Sequence, residues 1–118
     1  MSKSFLQSVE SFNERYASIR VDGKLRSLML PFWSYGEILN GLELREQWDV
    51  PLSLVPFQGD CHQLLCLETT TGGVVLLNDL RETVQRWRDT QSFESSLAAE
   101  PAELEERSHL FSAWMGLG

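Results

Sequence analysis

Residues 52–78 read LSLVPFQGDCHQLLCLETTTGGVVLLN, and this stretch decides the fold. It contains three short apolar runs, which are residues 52–57, 61–68 and 73–78. Polar turns that contain glycine separate the runs, at residues 58–60 and 70–73. Short runs divided in this way predict an antiparallel meander of three strands.

The middle and last runs are apolar on both sides. In a strand, Leu64 and Cys66 point to one face while Leu65 and Leu67 point to the other, because successive side chains alternate. Residues 74–77 are equally apolar on both sides. Strands of this kind lie in the centre of a sheet and are covered on both faces. We therefore predict an α+β fold with a central, mostly antiparallel sheet and helices packed around it.

Two elements are predicted at the N-terminal end of the chain. The first is a helix over residues 5–17, with Ser4 as N-cap and Gln7 completing a capping box. Its apolar side chains recur at helical spacing: Phe5, Val9, Phe12 and Tyr16. The second is a hairpin, whose parts are a strand at 19–21, the turn Asp22-Gly23 and a strand at 25–32.

A second helix precedes the three apolar runs. Ser34 and Glu37 have the spacing of a capping box, which predicts a helix from this point to about residue 48. Pro51 ends the helical region, because proline disfavours helical geometry in the residue before it and donates no backbone hydrogen bond.

The pattern after Asn78 is less decisive. Residues 80–88 fit either a helix on Leu80, Val84 and Trp87 or an edge strand through Val84 and Arg86, and both alternatives stay open. Ser92 is expected to cap a short helix through Phe93 and Leu97. A last helix is predicted from Pro101, with Leu104, Phe111, Trp114 and Met115 on one side.

Composition limits the classes of protein and partner. The chain has 118 residues, of which 42% are hydrophobic, so a single domain over residues 1–118 is expected. Its net charge of −7 disfavours nucleic acid and anionic membrane surfaces as direct partners. No apolar run approaches the roughly 20 residues of a membrane span, and no signal peptide is recognised. We expect a cytoplasmic protein.

No catalytic, metal or cofactor site is predicted. Cys61 and Cys66 are about 16 Å apart in an extended segment, too far for a disulfide, and Cys66 is interpreted as a core residue. Cys61 and His62 would point to opposite faces of a strand, which prevents a nucleophile–base contact. The two Cys and two His lack the spacings of a zinc site. A small hydrolase that uses Cys61 or His62 is the least favoured alternative.

Five short motifs together resemble the SUKH superfamily, the Smi/Knr type of domain found in cell-wall assembly regulators and many bacterial immunity proteins. The motifs are Leu54-Val55-Pro56-Phe57, the turn Gln58-Gly59-Asp60, Leu65-Cys66-Leu67-Glu68, Gly73-Val74-Val75, and Ser92-Phe93-Glu94 with Leu97. The resemblance implies an α+β domain without a catalytic site. It also implies an immunity protein that neutralises a toxin by direct binding.

The acidic charge is complementary to a basic toxin domain, such as a nuclease. The candidate partner-binding residues are Asp60 in a turn, Asp79 and Glu82 after the last central strand, and Trp48 as an aromatic anchor. The alternative is a regulatory or scaffold module unrelated to toxins, and it could form a homodimer through the doubly apolar sheet.

Overall fold

A computed structural model describes residues 3–101 of the chain. Its helices are α1 (Lys3–Ser8), α2 (Phe12–Arg15), α3 (Tyr35–Gly41) and α4 (Thr90–Ser95), with 3₁₀ turns at Val9–Ser11 and Leu42–Leu44. Its strands are β1 (Ser18–Val21), β2 (Lys24–Ser27), β3 (Leu54–Gly59), β4 (Leu64–Glu68), β5 (Val74–Leu77), β6 (Thr83–Trp87) and β7 (Leu97–Ala98). Helices and antiparallel sheets therefore form an α+β fold, as predicted.

The four-stranded sheet has the order β3-β4-β5-β6 and contains the meander predicted from the sequence. All its neighbouring strands are antiparallel. The added strand β6 lies at the edge, so the strand alternative is the correct one for this part of residues 80–88. Both edge strands are irregular. The pairing of β3 shifts its register between Pro56 and Gln58, and the pairing of β6 shifts opposite Leu76 and Leu77 of β5.

The two central strands are covered on both faces, as predicted. Leu65 and Leu67 belong to a large apolar cluster that includes side chains of the N-terminal helices, the hairpin and α4. Leu64 and Cys66 belong to a second cluster on the opposite face, against which Trp33 and Trp48 pack. Cys66 is 0% exposed, which agrees with its interpretation as a core residue.

The hairpin belongs to a second, three-stranded sheet of order β2-β1-β7. The hairpin itself is confirmed: Asp22 and Gly23 have φ values of 53° and 77°, the positive pair that a type I′ turn requires. Strand β7 was not predicted. It has two residues, and its pairing of Leu97 with Ile19 joins distant parts of the chain.

The second hairpin strand is shorter than predicted. It ends at Ser27, and the chain then crosses to the outer edge of β3, where Phe32 forms an isolated bridge with Gln58. The Trp33 amide also donates to the Phe57 carbonyl at 3.0 Å. These contacts connect the two sheets through the backbone.

Capping hydrogen bonds determine where the helices begin. The Ser34 capping box is confirmed, with Ser34 Oγ accepting from the Glu37 amide and the Glu37 carboxylate accepting from the Ser34 amide. Ser4 lies inside α1 and is not a cap. Ser92 is not a cap either, because the Asp89 carboxylate accepts from the Ser92 amide at 2.7 Å. The Ser92 hydrogen bonds lower the pKa of Asp89.

The helix expected to reach residue 48 is shorter, since α3 ends at Gly41 and one 3₁₀ turn follows. Arg45 then fixes the chain before β3, donating through Nη1 to the carbonyls of Leu52 and Leu54. The helix predicted from Pro101, with Leu104, Phe111, Trp114 and Met115, lies outside the described residues. Within residues 3–101, no helix has the length and apolar character of a bilayer-spanning segment.

Gly59 is required by the turn between β3 and β4. Its φ is 117°, and a Cβ at this position would overlap the carbonyl oxygen of Gln63, which accepts from the Asp60 amide. We predict that Gly59→Ala lowers the free energy of unfolding by about 3 kcal/mol or more, measured by urea denaturation. Gly23→Ala is the matched control, because Gly23 also has positive φ but has open space around it. Its expected loss is about 1 kcal/mol, and equal losses in the two variants would contradict the prediction.

Candidate functional site

Three loops meet at one end of the four-stranded sheet. The meander places the β3–β4 and β5–β6 turns at the same end, and Trp48 lies beside them, since its carbonyl accepts from Arg81 of the β5–β6 turn. We call residues 47–49, 60–63 and 78–82 the three-loop surface. A cavity of about 430 Å³ lies where the loops meet, lined by Gln47, Trp48, Asp49, Cys61, Asp79, Leu80 and Arg81.

The Arg81 guanidinium connects all three loops. Its Nε donates to the Trp48 carbonyl at 2.6 Å, and its Nη2 donates to the Cys61 carbonyl at 2.8 Å. Its Nη1 donates to the carbonyl of Asn78 in the same turn at 3.1 Å. A charged donor makes stronger hydrogen bonds to carbonyls than a neutral one does. Arg81 therefore holds two remote segments against its own turn.

Asn78 sets the conformation of the β5–β6 turn. Its Oδ1 accepts from the amides of Leu80 and Glu82, each at 2.9 Å, and its Nδ2 donates to the Glu82 carboxylate at 3.1 Å. Within this turn Arg81 has φ 63°, a left-handed conformation that is unfavourable for most residues other than glycine. The turn thus directs a strained arginine toward the neighbouring loops.

Asp60 has a structural role in the β3–β4 turn. Its Oδ1 accepts from the His62 amide at 2.8 Å and from the Gln63 amide at 3.3 Å. Side-chain acceptors of this kind stabilise tight turns. A change at Asp60 therefore affects the turn as well as the charge, unless the new side chain keeps an acceptor oxygen.

Trp48 is half-buried rather than freely exposed. It packs against the second apolar cluster, and its ring meets the Trp33 ring edge-on, with centroids 6.4 Å apart. Part of the residue still lines the cavity. Leu80, which also lines the cavity, is 74% exposed, so a small apolar area accompanies the indole.

The four residues predicted to bind a partner lie on the three-loop surface or directly beside its cavity. Trp48 and Asp79 line the cavity, Asp60 precedes the lining residue Cys61, and Glu82 is exposed in the β5–β6 turn.

Sequence reasoning missed Asp49 and Arg81, which also line the cavity. The only sequence signal for Arg81 is a cation between acidic turn residues in an acidic chain. Its acceptors are backbone carbonyls 20 and 33 residues away, and the sequence does not indicate these contacts.

Cys61 and His62 lie in the β3–β4 turn, so the expectation that they alternate within a strand is wrong. Both are exposed, and their hydrogen bonds use backbone atoms: the Cys61 carbonyl accepts from Arg81, and the His62 amide donates to Asp60. These contacts do not activate the thiol. In the described part of the chain, no group of three His, Cys, Asp or Glu side chains has the arrangement of a metal site.

A larger groove of about 660 Å³ lies on the other side of the β3–β4 turn, between the hairpin and the four-stranded sheet. Asp60 and His62 line it together with apolar residues of both sheets. Leu65 and Leu76, which also line the groove, are only 2% and 5% exposed, so they belong mainly to the core. The β3–β4 turn therefore separates two concavities, and the three loops meet at the smaller one.

Comparisons with protein-family models, with curated proteins and with solved structures find no match. The resemblance to the SUKH superfamily therefore stays a prediction.

The two cysteines are expected to differ strongly in reactivity. Cys61 is exposed at the cavity, whereas burial raises the pKa of the Cys66 thiol to about 12. Because the thiolate is the reactive form, a disulfide reagent at pH 8 should modify one thiol per folded chain quickly and the second only after denaturation.

Spectrophotometric thiol counting with and without urea measures this difference, and Cys61→Ala should abolish the fast phase. A fast phase that persists in Cys61→Ala would show that Cys66 is accessible and would contradict its burial.

Proposed function

We propose that this chain is a non-enzymatic protein-binding module that meets its partner through the three-loop surface. The main support is the Arg81 contact, which brings the loops carrying Asp49, Asp60 and Asp79 together beside Trp48. A surface of this kind combines negative charge with a small apolar centre. Such a centre with a polar rim is common in protein interfaces.

The charge of the surface favours a basic partner. Asp49, Asp60, Asp79 and Glu82 carry four carboxylates, and Arg81 is the cation among them. The whole chain has a net charge of −7, so its long-range field has the same sign. Complementary charge accelerates encounter between proteins and aligns the two surfaces, and salt weakens this effect.

We propose that the partner is a toxin domain, such as a basic nuclease, and that the chain acts as an immunity protein. The resemblance of residues 51–97 to SUKH domains suggests this class of partner. A nuclease must bind phosphate through cationic side chains, and carboxylates can occupy the same cationic surface. The chain would then inhibit the toxin by blocking substrate access.

The scaffold alternative has less support. A homodimer through the doubly apolar sheet needs free apolar faces, but Leu64, Leu65, Cys66 and Val75 are each at most 2% exposed. The chain itself covers these faces. A scaffold role would therefore need another surface.

The direct test measures binding to the purified toxin-like domain encoded by a neighbouring gene. We expect heat of binding by calorimetry at micromolar concentrations and loss of the toxin's activity at equimolar ratio. Association should slow as salt is raised from 20 to about 300 mM, because exposed charges are screened. No heat change and undiminished toxin activity would contradict the proposed function.

Charge-neutral variants test the surface itself. The triple variant Asp60→Asn, Asp79→Asn, Glu82→Gln keeps the acceptor oxygen that the β3–β4 turn needs. Removing three charges at the interface should slow association roughly tenfold at low salt. The matched control, Glu10→Gln, Glu14→Gln, Glu100→Gln, removes the same charge from exposed residues that line neither concavity. Equal slowing in both sets would show that net charge, and not this surface, guides binding.

A further inference from the structure

Arg81 is a cation at the centre of an acidic surface, yet its hydrogen bonds go to backbone carbonyls. Nε, Nη1 and Nη2 each donate to a different residue, one in each loop of the three-loop surface. We infer that Arg81 is the positioning residue of this surface and makes its three loops behave as one unit. Any effect of this role on partner binding rests on the proposed function.

The sheet cannot provide this connection by itself. Strand pairing holds the β3–β4 and β5–β6 turns next to each other, because Leu64 pairs with Leu77, but it does not reach the Trp48 segment, which lies before β3. Arg81 reaches Trp48 and Cys61 across 33 and 20 residues of sequence. A single side chain therefore attaches the Trp48 segment to the sheet end and adds a direct contact between the two turns.

The contact requires the shape of a guanidinium. Its planar group presents five N–H donors in a fixed arrangement, whereas a lysine ammonium is a compact donor on a flexible stem. Three different nitrogens reach the three acceptors, so the single ammonium nitrogen of a lysine cannot reproduce all three contacts. The left-handed backbone of residue 81 aims the side chain at these acceptors, and the Asn78 hydrogen bonds to the neighbouring amides hold that backbone.

Two consequences for recognition follow. The backbones that carry Asp49 and Asp79 keep a fixed relative position, because Arg81 donates to the carbonyl of the residue before each, Trp48 and Asn78. The guanidinium also offsets part of the repulsion among the surrounding acids. A surface ordered before the partner arrives avoids the entropy loss of ordering loops during binding.

The test compares amide hydrogen exchange in the wild-type chain and in Arg81→Gly, since glycine accepts the left-handed backbone but lacks the guanidinium. The reporter amides are those of Trp48, Asp60 and Asn78, one in each loop, which donate to Leu44, Gln63 and Glu82. We expect exchange of all three to accelerate about tenfold or more. The Gly72 amide, in the turn at the opposite end of the sheet, should keep its rate.

Chemical rescue separates the guanidinium contacts from a general loss of stability. Methylguanidinium chloride at low millimolar concentration should restore slow exchange in Arg81→Gly, whereas equal sodium chloride should not. Arg81→Lys should loosen the same three loops. The control Arg86→Gln removes the ion pair with Glu68, 2.6 Å long, and should leave the three reporters unchanged.

Faster exchange confined to residues 78–82 would overturn the inference, because Arg81 would then shape only its own turn. Equal acceleration at Gly72 would overturn it too, since the change would be global. If the three loops loosen together but the toxin domain does not bind the wild-type chain, the positioning role holds and the proposed function fails.

Discussion

The structure depends on the burial of β4 and β5 on both faces. Two strands whose side chains are apolar on both sides must be paired along both edges and covered above and below. Leu65 and Leu67 pack into one cluster, and Leu64 and Cys66 pack into the other. The body of the sheet therefore has no room for polar chemistry, and its charged residues lie in the turns, in the outer strand β6 and at the end of β4, where Glu68 pairs with Arg86.

The meander then determines which turns can cooperate. Successive turns alternate between the two ends of the sheet, so the β3–β4 and β5–β6 turns share one end, and the β4–β5 turn lies at the other. Turns lack the regular hydrogen bonds that align strands, and neighbouring acidic turns repel each other. The guanidinium of Arg81 compensates for both effects. It supplies several hydrogen-bond donors, and its positive charge offsets the repulsion. Structural order and surface charge are thus linked through one side chain.

The features predicted correctly from the sequence depend on neighbouring residues. Alternation in residues 64–67, the Asp22-Gly23 turn and the Ser34 capping box are all determined within a few residues. The wrong or missing predictions concern the choice between two nearby cap residues and contacts between segments far apart in the sequence. Asp89 is the cap instead of Ser92, because its carboxylate accepts from the Ser92 amide three residues later and the helix therefore begins at Thr90. Strand β7 and the Arg81 contacts join segments far apart in sequence, and local patterns do not specify such pairs.

The irregular outer strands have a further consequence for the behaviour of the protein in concentrated solution. On β3, Pro56 lacks an amide hydrogen, the register shifts beside it, and Phe32 occupies part of the free side. On β6, a second register shift accompanies the charged Arg86. A strand of another molecule would therefore not find a continuous row of free backbone groups along β3 or along β6. The apolar sheet is in this way protected against lateral recruitment of further chains, the step from which fibrils grow.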